Sequence, residues 1–351
     1  MTMQTFTIPI QSYLKRRQLF SQHMQTGIAI IPTAPERIRN RDAHYPYRCD
    51  SYFYYLSGFS EPEAVLVIVA KTDKVPEKHI LFCRAKDKER EIWDGYRYGP
   101  EAAKEAFNFD ETYPVTQLDE ILPTLLADQP VIYTALGHDS SWDQRIIGWM
   151  NQVRDQIRTG VTAPEKITDC RVILDEMRLI KSSEELQVMQ QAANISVQAH
   201  QRAMQITKPD KYEYEIEAEL LYTFNRLGAR FPAYTSIVAG GANACVLHYV
   251  ENTAELKSGD LLLIDAGCEL HGYASDITRT FPINGKFSAA QKDVYQLVLN
   301  AQAAAIAQVK PGNLWNEPHQ AALQVLAQGF IDLGLCHGSL DAVLESEDYK
   351  R

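Results

Sequence analysis

Two aspartates, Asp265 and Asp276, are the residues of this 351-residue sequence whose type and spacing point most directly to chemistry. A buried apolar strand at residues 261–264 delivers Asp265 at its end, a glycine-containing turn reverses the chain, and a second strand carries Asp276. With the reversal centred between Leu270 and His271, the two aspartates are expected to lie directly opposite each other. Opposed residues of an antiparallel pair have Cβ atoms about 4.5–5.5 Å apart and share one face. The spacing therefore predicts two neighbouring carboxylates.

Two like charges so placed repel each other, and either a proton or a cation is needed to relieve the repulsion. Hard carboxylate oxygens favour Mn, Mg or Ca over a structural zinc ion, and a pair of aspartates can bridge two ions. In a simpler alternative, Asp265 begins a turn while Asp276 caps a backbone group or pairs with Arg279. The spacing alone leaves both interpretations open.

The elements that must position this pair suggest two domains, since a single core seldom grows beyond about 250–300 residues. Alternating helical and strand signals predict an α/β domain first, and the periodicity breaks at residues 162–174. Its predicted elements are a helix at 11–24 and strands at 28–31, 52–56, 64–70 and 79–83. We therefore place the boundary between residues 172 and 173.

The second half of the chain predicts helices laid on a largely antiparallel sheet, an α+β arrangement. The long apolar periodicity indicates a helix at 183–206, and a second helix at 212–226 stops at Gly228. Ser288 opens a capping box for a helix that reaches residue 309. The predicted strands are residues 234–239, 244–250 and 261–264.

Composition narrows the class of partner. The formal net charge of -10, from 45 acidic and 35 basic residues, argues against nucleic acid or an anionic membrane as partner. The apolar runs are strand-sized, far short of the roughly 18 residues that a membrane span needs. The start of the sequence lacks the pattern of a secretion signal. Six cysteines without CxxC spacing suit reduced thiols, so we expect a cytoplasmic protein.

Several motifs, taken together, closely resemble the bacterial aminopeptidase P family, which shares its catalytic fold with prolidase and methionine aminopeptidase. The resemblance covers nearly the whole chain. It implies a creatinase-like α/β oligomerisation domain at 1–172, followed by an α+β pita-bread catalytic domain at 173–351. The matching stretches are YPYR at 45–48, SEPEAV at 60–65, FNRLGARFP at 224–232, LHY at 247–249, DAGC at 265–268 and GYASDITRTFP at 272–282.

The resemblance also implies roles for five residues in an Xaa-Pro aminopeptidase. Asp265 corresponds to the terminal and Asp276 to the bridging metal ligand of a centre that holds two Mn(II) ions per subunit. His248 corresponds to a catalytic and substrate-binding histidine, although a histidine in an apolar strand is, on its own, more often structural. Asp42 and Trp93 correspond to residues that a neighbouring subunit inserts at the mouth of the active site. A symmetric homo-oligomer, a dimer or a tetramer, is then expected.

The resemblance further implies one histidine and two glutamate ligands that this sequence does not supply in the matching context. We therefore expect the pita-bread domain to be incomplete, with weak or absent metal binding and no activity of the chain alone. A separate C-terminal fragment would then be a partner, besides proline-containing peptides. Two alternatives stay open: a non-catalytic peptide-binding or oligomerisation module of the same fold, and a prolidase-like dipeptidase.

Overall fold

Two units make up the described part of the chain, residues 6–72 and 75–350 of a computed structural model. The first unit comprises the chain up to Ala192 together with Glu269–Ala274, and the second comprises Ala193–Cys268 and the chain from Ser275 onward. The two units are defined by which residues pack together, and not by where a domain ends in the sequence. The boundary between residues 172 and 173 therefore stays a prediction.

A six-stranded mixed sheet forms the centre of the first unit, in the order β6-β5-β4-β1-β7-β8. Strand β4 pairs antiparallel with both β1 and β5. The other three pairs, β5 with β6, β1 with β7 and β7 with β8, are parallel. β4 is buried along its whole length, which explains its uninterrupted apolar sequence. The strands of this unit are β1 Ile28–Pro32, β2 Ile38–Asn40, β3 Ala43–His44, β4 Val65–Val69, β5 Lys78–Cys83, β6 Glu111–Pro114, β7 Val131–Thr134 and β8 Lys166–Asp169; β2 and β3 form a separate hairpin.

Helices cover this sheet, and their apolar faces pack with its strands into two clusters of buried side chains. Phe20 and Met24 of the first helix, for example, share a cluster with Leu66 and Ile68 of β4. The helices are α1 Ile10–Met24, α2 Ser51–Ser57, α3 Lys88–Asp94, α4 Gly99–Phe107, α5 Leu118–Leu126, α6 Ser140–Arg154, α7 Arg171–Leu179 and α8 Ser183–Ile206, the last with residues in both units. The α/β prediction for this half of the chain is confirmed.

The strand predicted at residues 52–56 is wrong, because these residues form helix α2. The Asp50 carboxylate accepts hydrogen bonds from the backbone N–H groups of Tyr52 and Phe53, which caps the start of the helix. Gly58, with φ of 67°, ends it in the left-handed conformation. The aromatic residues of this segment have a high strand propensity, but the two caps and the burial of one face stabilise a helix instead.

In the second unit, helices accompany a three-stranded antiparallel sheet in the order β10-β11-β14. This arrangement confirms the predicted α+β class. The strands of this half of the chain, in chain order, are β9 Phe231–Pro232, β10 Ile237–Gly240, β11 Leu261–Asp265, β12 Cys268–Leu270, β13 Tyr273–Ala274 and β14 Thr278–Pro282, of which β13 and all of β12 but Cys268 belong to the first unit. The helices are α9 Glu213–Arg226, α10 Ala289–Ala307, α11 Glu317–Asp332 and α12 Leu340–Ser346.

Local signals placed the three predicted helices of this half correctly, while α11 and α12 were not predicted. Helix α8 has the predicted bounds, and Ser288 and Gln291 form the predicted capping box at the start of α10. Gly228 has a φ of 96°, in keeping with a stop after α9. None of the helices among the described residues is long and apolar enough to cross a bilayer.

The strand predicted at residues 244–250 is wrong. The chain forms a short 3-10 helix, Gly241–Cys245, and then a turn. Val246 and Leu247 are 56% and 88% exposed, so their apolar character does not mark a buried sheet face. The segment is rich in apolar residues, but these residues do not form a strand.

Candidate metal centre

The hairpin that carries the two aspartates turns one residue later than the sequence predicted. Leu270 pairs with Tyr273, so the two residues of the turn are His271 and Gly272. Their φ angles are 49° and 81°, and two successive positive values characterise a type I′ turn. Glycine accepts this conformation without strain, which is why the reversal centres before Gly272 and not before His271.

This register corrects the predicted pairing of Asp265 and Asp276. Asp265 pairs with Thr278, and the pairing continues through the hydrogen bond from the N–H of Ala266 to the carbonyl of Ile277, 3.1 Å long. Asp276 lies two residues before Thr278, so it is a diagonal neighbour of Asp265 and not the directly opposite residue. Diagonal neighbours share a face, and the prediction that both carboxylates lie on one side of the hairpin therefore survives the shift.

Tyr234 joins the two carboxylates. Its hydroxyl oxygen lies 2.5 Å from Oδ1 of Asp265 and 3.0 Å from Oδ1 of Asp276. Burial, and then the two neighbouring carboxylates, raise the pKa of Tyr234 above its ordinary value, so the phenol keeps its proton and acts as a donor. One proton cannot satisfy two anions, and negative charge is left at the point where the three side chains converge.

The donor set fits part of a site for a hard divalent cation. Asp265 is half-buried and Asp276 is exposed, so both oxygens can be reached from solvent. Carboxylate oxygens are the ligands that Mg, Mn and Ca prefer. Within residues 6–72 and 75–350, however, no group of three or more His, Cys, Asp or Glu side chains is arranged to hold a metal ion. The pair can therefore supply two ligands but not a complete coordination shell.

Helix α8 holds the backbone between the two aspartates. Ser196 Oγ accepts from the N–H of Cys268 at 3.0 Å and lies 2.8 Å from the hydroxyl of Ser275. One helical turn further, Nε2 of the buried His200 lies 3.0 Å from the carbonyl oxygen of Ala266. Because a carbonyl only accepts, Nε2 carries the proton. The helix thereby fixes both arms of the hairpin just beyond Asp265 and just before Asp276.

Burial lowers the pKa of His200, which predicts a pH dependence of stability. In the unfolded chain His200 takes up a proton near about pH 6.5, whereas in the folded chain it does so only at a lower pH. The stability that the neutral imidazole contributes to the folded state is therefore fully present above about pH 6.5. It is lost as the pH falls, by at most about 1.4 kcal/mol per pH unit.

We expect the free energy of opening at β11, measured by hydrogen exchange, to fall more in the wild type than in His200→Gln between about pH 7.5 and about pH 5.5. The glutamine amide can still donate to the carbonyl of Ala266 but does not titrate. The other histidines contribute equally to both proteins. Equal pH dependence in the two proteins would contradict the assignment.

The other predicted site residues lie outside the aspartate pair. His248 is exposed, in the turn after the 3-10 helix Gly241–Cys245. Asp42 is exposed in the turn between β2 and β3, and Trp93, on α3, is 83% exposed. Of the five residues, the structure brings Asp265 and Asp276 together.

Sequence reasoning missed Tyr234, Ser196 and His200. Tyr234 was assigned to a strand at 234–239, but it precedes β10, and 31 positions separate it from Asp265. Ser196 and His200 are four residues apart on a helix, so they share a face. Two polar residues on the otherwise apolar face of an amphipathic helix are the signal that could have identified them.

Comparison with known proteins assigns the class. Residues 187–345 match the pattern of metallopeptidase family M24, and residues 13–133 match the aminopeptidase P N-terminal domain. The fold is thus that of a pita-bread metallopeptidase preceded by this N-terminal domain.

Similar whole sequences and structures narrow the class further. The chain is 43% identical to the Xaa-Pro aminopeptidase of Haemophilus influenzae, covering 98% of this chain and 77% of that protein. For the Xaa-Pro aminopeptidase of Escherichia coli the identity is 40%, over 97% and 77%. The structure of Pseudomonas aeruginosa aminopeptidase PepP superposes with a TM-score of 0.96 at 46% identity, over 99% of this chain and 78% of that one. The chain belongs to the Xaa-Pro aminopeptidase family.

Proposed function

We propose that this protein provides the Asp265 and Asp276 ligands of a divalent-metal centre that releases the N-terminal residue from peptides with proline in second position. The names of the relatives from H. influenzae and E. coli support this reaction. The single observation that carries it is the convergence of both carboxylates on the Tyr234 hydroxyl.

A divalent cation bound there would supply a water-derived nucleophile at neutral pH and polarise the scissile carbonyl. In the proposal, Asp265 and Asp276 hold the cation while Tyr234 keeps the two carboxylates oriented towards each other. His248 hydrogen-bonds the substrate near the scissile bond and moves a proton, a role that suits an imidazole exposed to solvent.

Proline in second position makes a dedicated site necessary. The bond before proline is a tertiary amide without an N–H, and its φ is fixed, so a substrate cannot dock as an ordinary added strand. The free amino terminus must also be recognised if one residue is to be released at a time.

We favour Mn(II) as the metal, two ions per subunit in the complete centre, because the donors identified here are carboxylates. A solved E. coli aminopeptidase P is described as zinc-substituted, so zinc is a second metal to test. With two carboxylates and no further acidic or histidine ligand grouped with them among the described residues, binding by this chain is expected to be weak and turnover absent.

The proposal includes a homo-oligomer, a dimer or a tetramer. Trp93 exposes 83% of its surface and Asp42 is exposed, so both are available to a neighbouring subunit, where they would limit substrate entry. A large exposed aromatic side chain is typical of a contact surface. The scattered cysteines and acidic charge favour a cytoplasmic location.

The assay that tests this function uses an Xaa-Pro-Xaa tripeptide and a matched tripeptide with alanine second. We expect Mn(II) to bind the chain weakly, Asp276→Asn to weaken that binding at least about 10-fold, and the chain alone to show no turnover. Lys292→Gln, in the exposed first turn of α10, is the control for a surface charge change. Turnover by the chain alone would refute its inactivity, and Mn(II) binding that is unchanged in Asp276→Asn would refute the metal site.

A further inference from the structure

The carboxylate of Glu213, the first residue of α9, is fully buried and accepts four hydrogen bonds. Oε1 accepts from the N–H of Gly240 at 2.8 Å and from Nδ2 of Asn243 at 3.0 Å. Oε2 accepts from the hydroxyl of Tyr249 at 2.7 Å and from the N–H of Ala254 at 2.9 Å. Each oxygen therefore has two donors, so the carboxylate's hydrogen-bonding capacity is largely used.

An ionised carboxylate is rarely buried unless hydrogen bonds replace its hydration. The four donors do so here, and the start of α9 adds a favourable partial positive charge. Burial, and then the hydrogen bond to Glu213, raise the pKa of Tyr249, so its hydroxyl stays a donor. The charged carboxylate of Glu213 contacts no solvent. Its purpose is therefore structural.

The four donors share one feature, which is that they belong to a single segment, residues 240–254. They lie at its start, in its 3-10 helix Gly241–Cys245, directly after His248, and at its end. Residues 246–254 of this segment form no strand. Glu213 therefore supplies hydrogen bonds that sheet pairing would otherwise provide, and it determines the path of the chain that presents His248.

A second acidic residue of α9 reinforces this role one helical turn later. Glu217 accepts from the side-chain amide of Asn252 at 3.0 Å. The same amide group also donates to the carbonyl oxygen of Ser236 and accepts from the N–H of Val238. Asn252 itself has a positive φ of 49°. The face of α9 that carries residues 213 and 217 thus holds the His248 segment at several points.

We propose that Glu213 is a positioning residue for His248. Its carboxylate is buried and bonded to the segment itself, so it acts by fixing the position of the His248 imidazole. The inference rests on the role of His248 in the proposed function. Its consequence is that a change at Glu213 disturbs the His248 segment while leaving the hairpin of Asp265 and Asp276 in place.

The test compares Glu213→Gln with Glu215→Gln in the full chain. Glu213→Gln keeps the shape of the side chain, but its amide NH2 group faces two of the four donors and cannot accept their hydrogen bonds. Glu215, two residues away, accepts from the N–H of Tyr212 and contacts Lys211 instead, so it controls for a lost charge in the same turn. The readouts are hydrogen exchange at Gly240 and Ala254 and the ¹⁵N resonances of the His248 ring.

We expect Glu213→Gln to speed exchange at both amides by about 10-fold or more and to shift the His248 resonances, with exchange in β4 unchanged. Glu215→Gln should alter neither. If Glu213→Gln does not fold, Tyr249→Phe removes one donor and should still shift the His248 ring. Unchanged His248 resonances in the folded variants would overturn the proposal. Neither readout depends on peptide hydrolysis, so a failed assay of function leaves this result separately interpretable.

Discussion

Replacing Gly267 with alanine is expected to destabilise the second unit by about 3 kcal/mol or more, at the upper end of what overpacking costs. A Cβ at this position would lie 1.7 Å from the carbonyl oxygen of Ser275 and 2.4 Å from its carbonyl carbon. Both are backbone atoms, so no side-chain rotation relieves the clash. The two arms of the hairpin must separate, and the Asp265 and Asp276 carboxylates move with them.

Hydrogen exchange at β11 and β14 measures this effect, because it reports the free energy of opening of the sheet that carries the aspartates. Gly148→Ala is the matched control. Gly148 lies within α6, and an added Cβ would have no neighbour within 4 Å. That change is expected to be neutral or to stabilise α6 by about 0.5–1 kcal/mol. A folded Gly267→Ala protein with unchanged exchange at β11 would show that the hairpin arms are not in close contact.

Replacing Arg17 with methionine is expected to destabilise the first unit by about 3 kcal/mol or more. The guanidinium is fully buried and donates to the carbonyl oxygens of Leu56, Phe107 and Asn108, at 3.1, 3.1 and 2.7 Å. It also stacks on the ring of Phe109, 4.4 Å from the ring centroid. Burial lowers its pKa to about 10, so it remains charged at neutral pH.

Methionine fills a similar volume but leaves the buried carbonyl of Leu56 and the two partly buried carbonyls of Phe107 and Asn108 without their donor, at a cost of about 1–3 kcal/mol for the buried one and less for each of the others. Lys15→Met, at an exposed position of the same helix, controls for the loss of a charge and should change stability by about 0.5 kcal/mol or less. Hydrogen exchange at β4, measured as a function of urea concentration, gives the stability of the first unit in each of the two variants. Similar stabilities for both variants would contradict a structural role for the buried guanidinium.

The sequence was most informative where several local signals agree. The Ser288 capping box and the periodicity of residues 183–206 depend on neighbours within one or two turns, and both helices form as predicted. Asp265 at the end of a buried strand was also recognisable, since the apolar run of β11 ends there. The pairing register was missed by one residue because it depends on which two residues accept positive φ.

The remaining errors have a different physical cause. Residues 244–250 were predicted to be a strand, yet the carboxylate of Glu213 accepts from the Tyr249 hydroxyl within this segment and from the N–H groups of Gly240 and Ala254 on either side of it. Residues 52–56 read as a strand, yet Asp50 and Gly58 cap them as a helix. Tyr234 could not be assigned to the site, because its partners are distant in sequence. Contacts between distant segments, which no local pattern encodes, decide the first and third of these cases, whereas the caps of residues 52–56 are local signals that the strand propensity of the aromatic residues outweighed in the prediction.

Diffraction from crystals of the chain soaked in saturating Mn(II), with anomalous data collected near the manganese absorption edge, tests the central claim most directly. We predict an anomalous peak about 2.0–2.6 Å from a carboxylate oxygen of Asp265 and from one of Asp276, with the Tyr234 hydroxyl beside them. Carboxyl groups that point apart, with no peak between them at saturation, would contradict the metal centre and the peptidase proposal that depends on it.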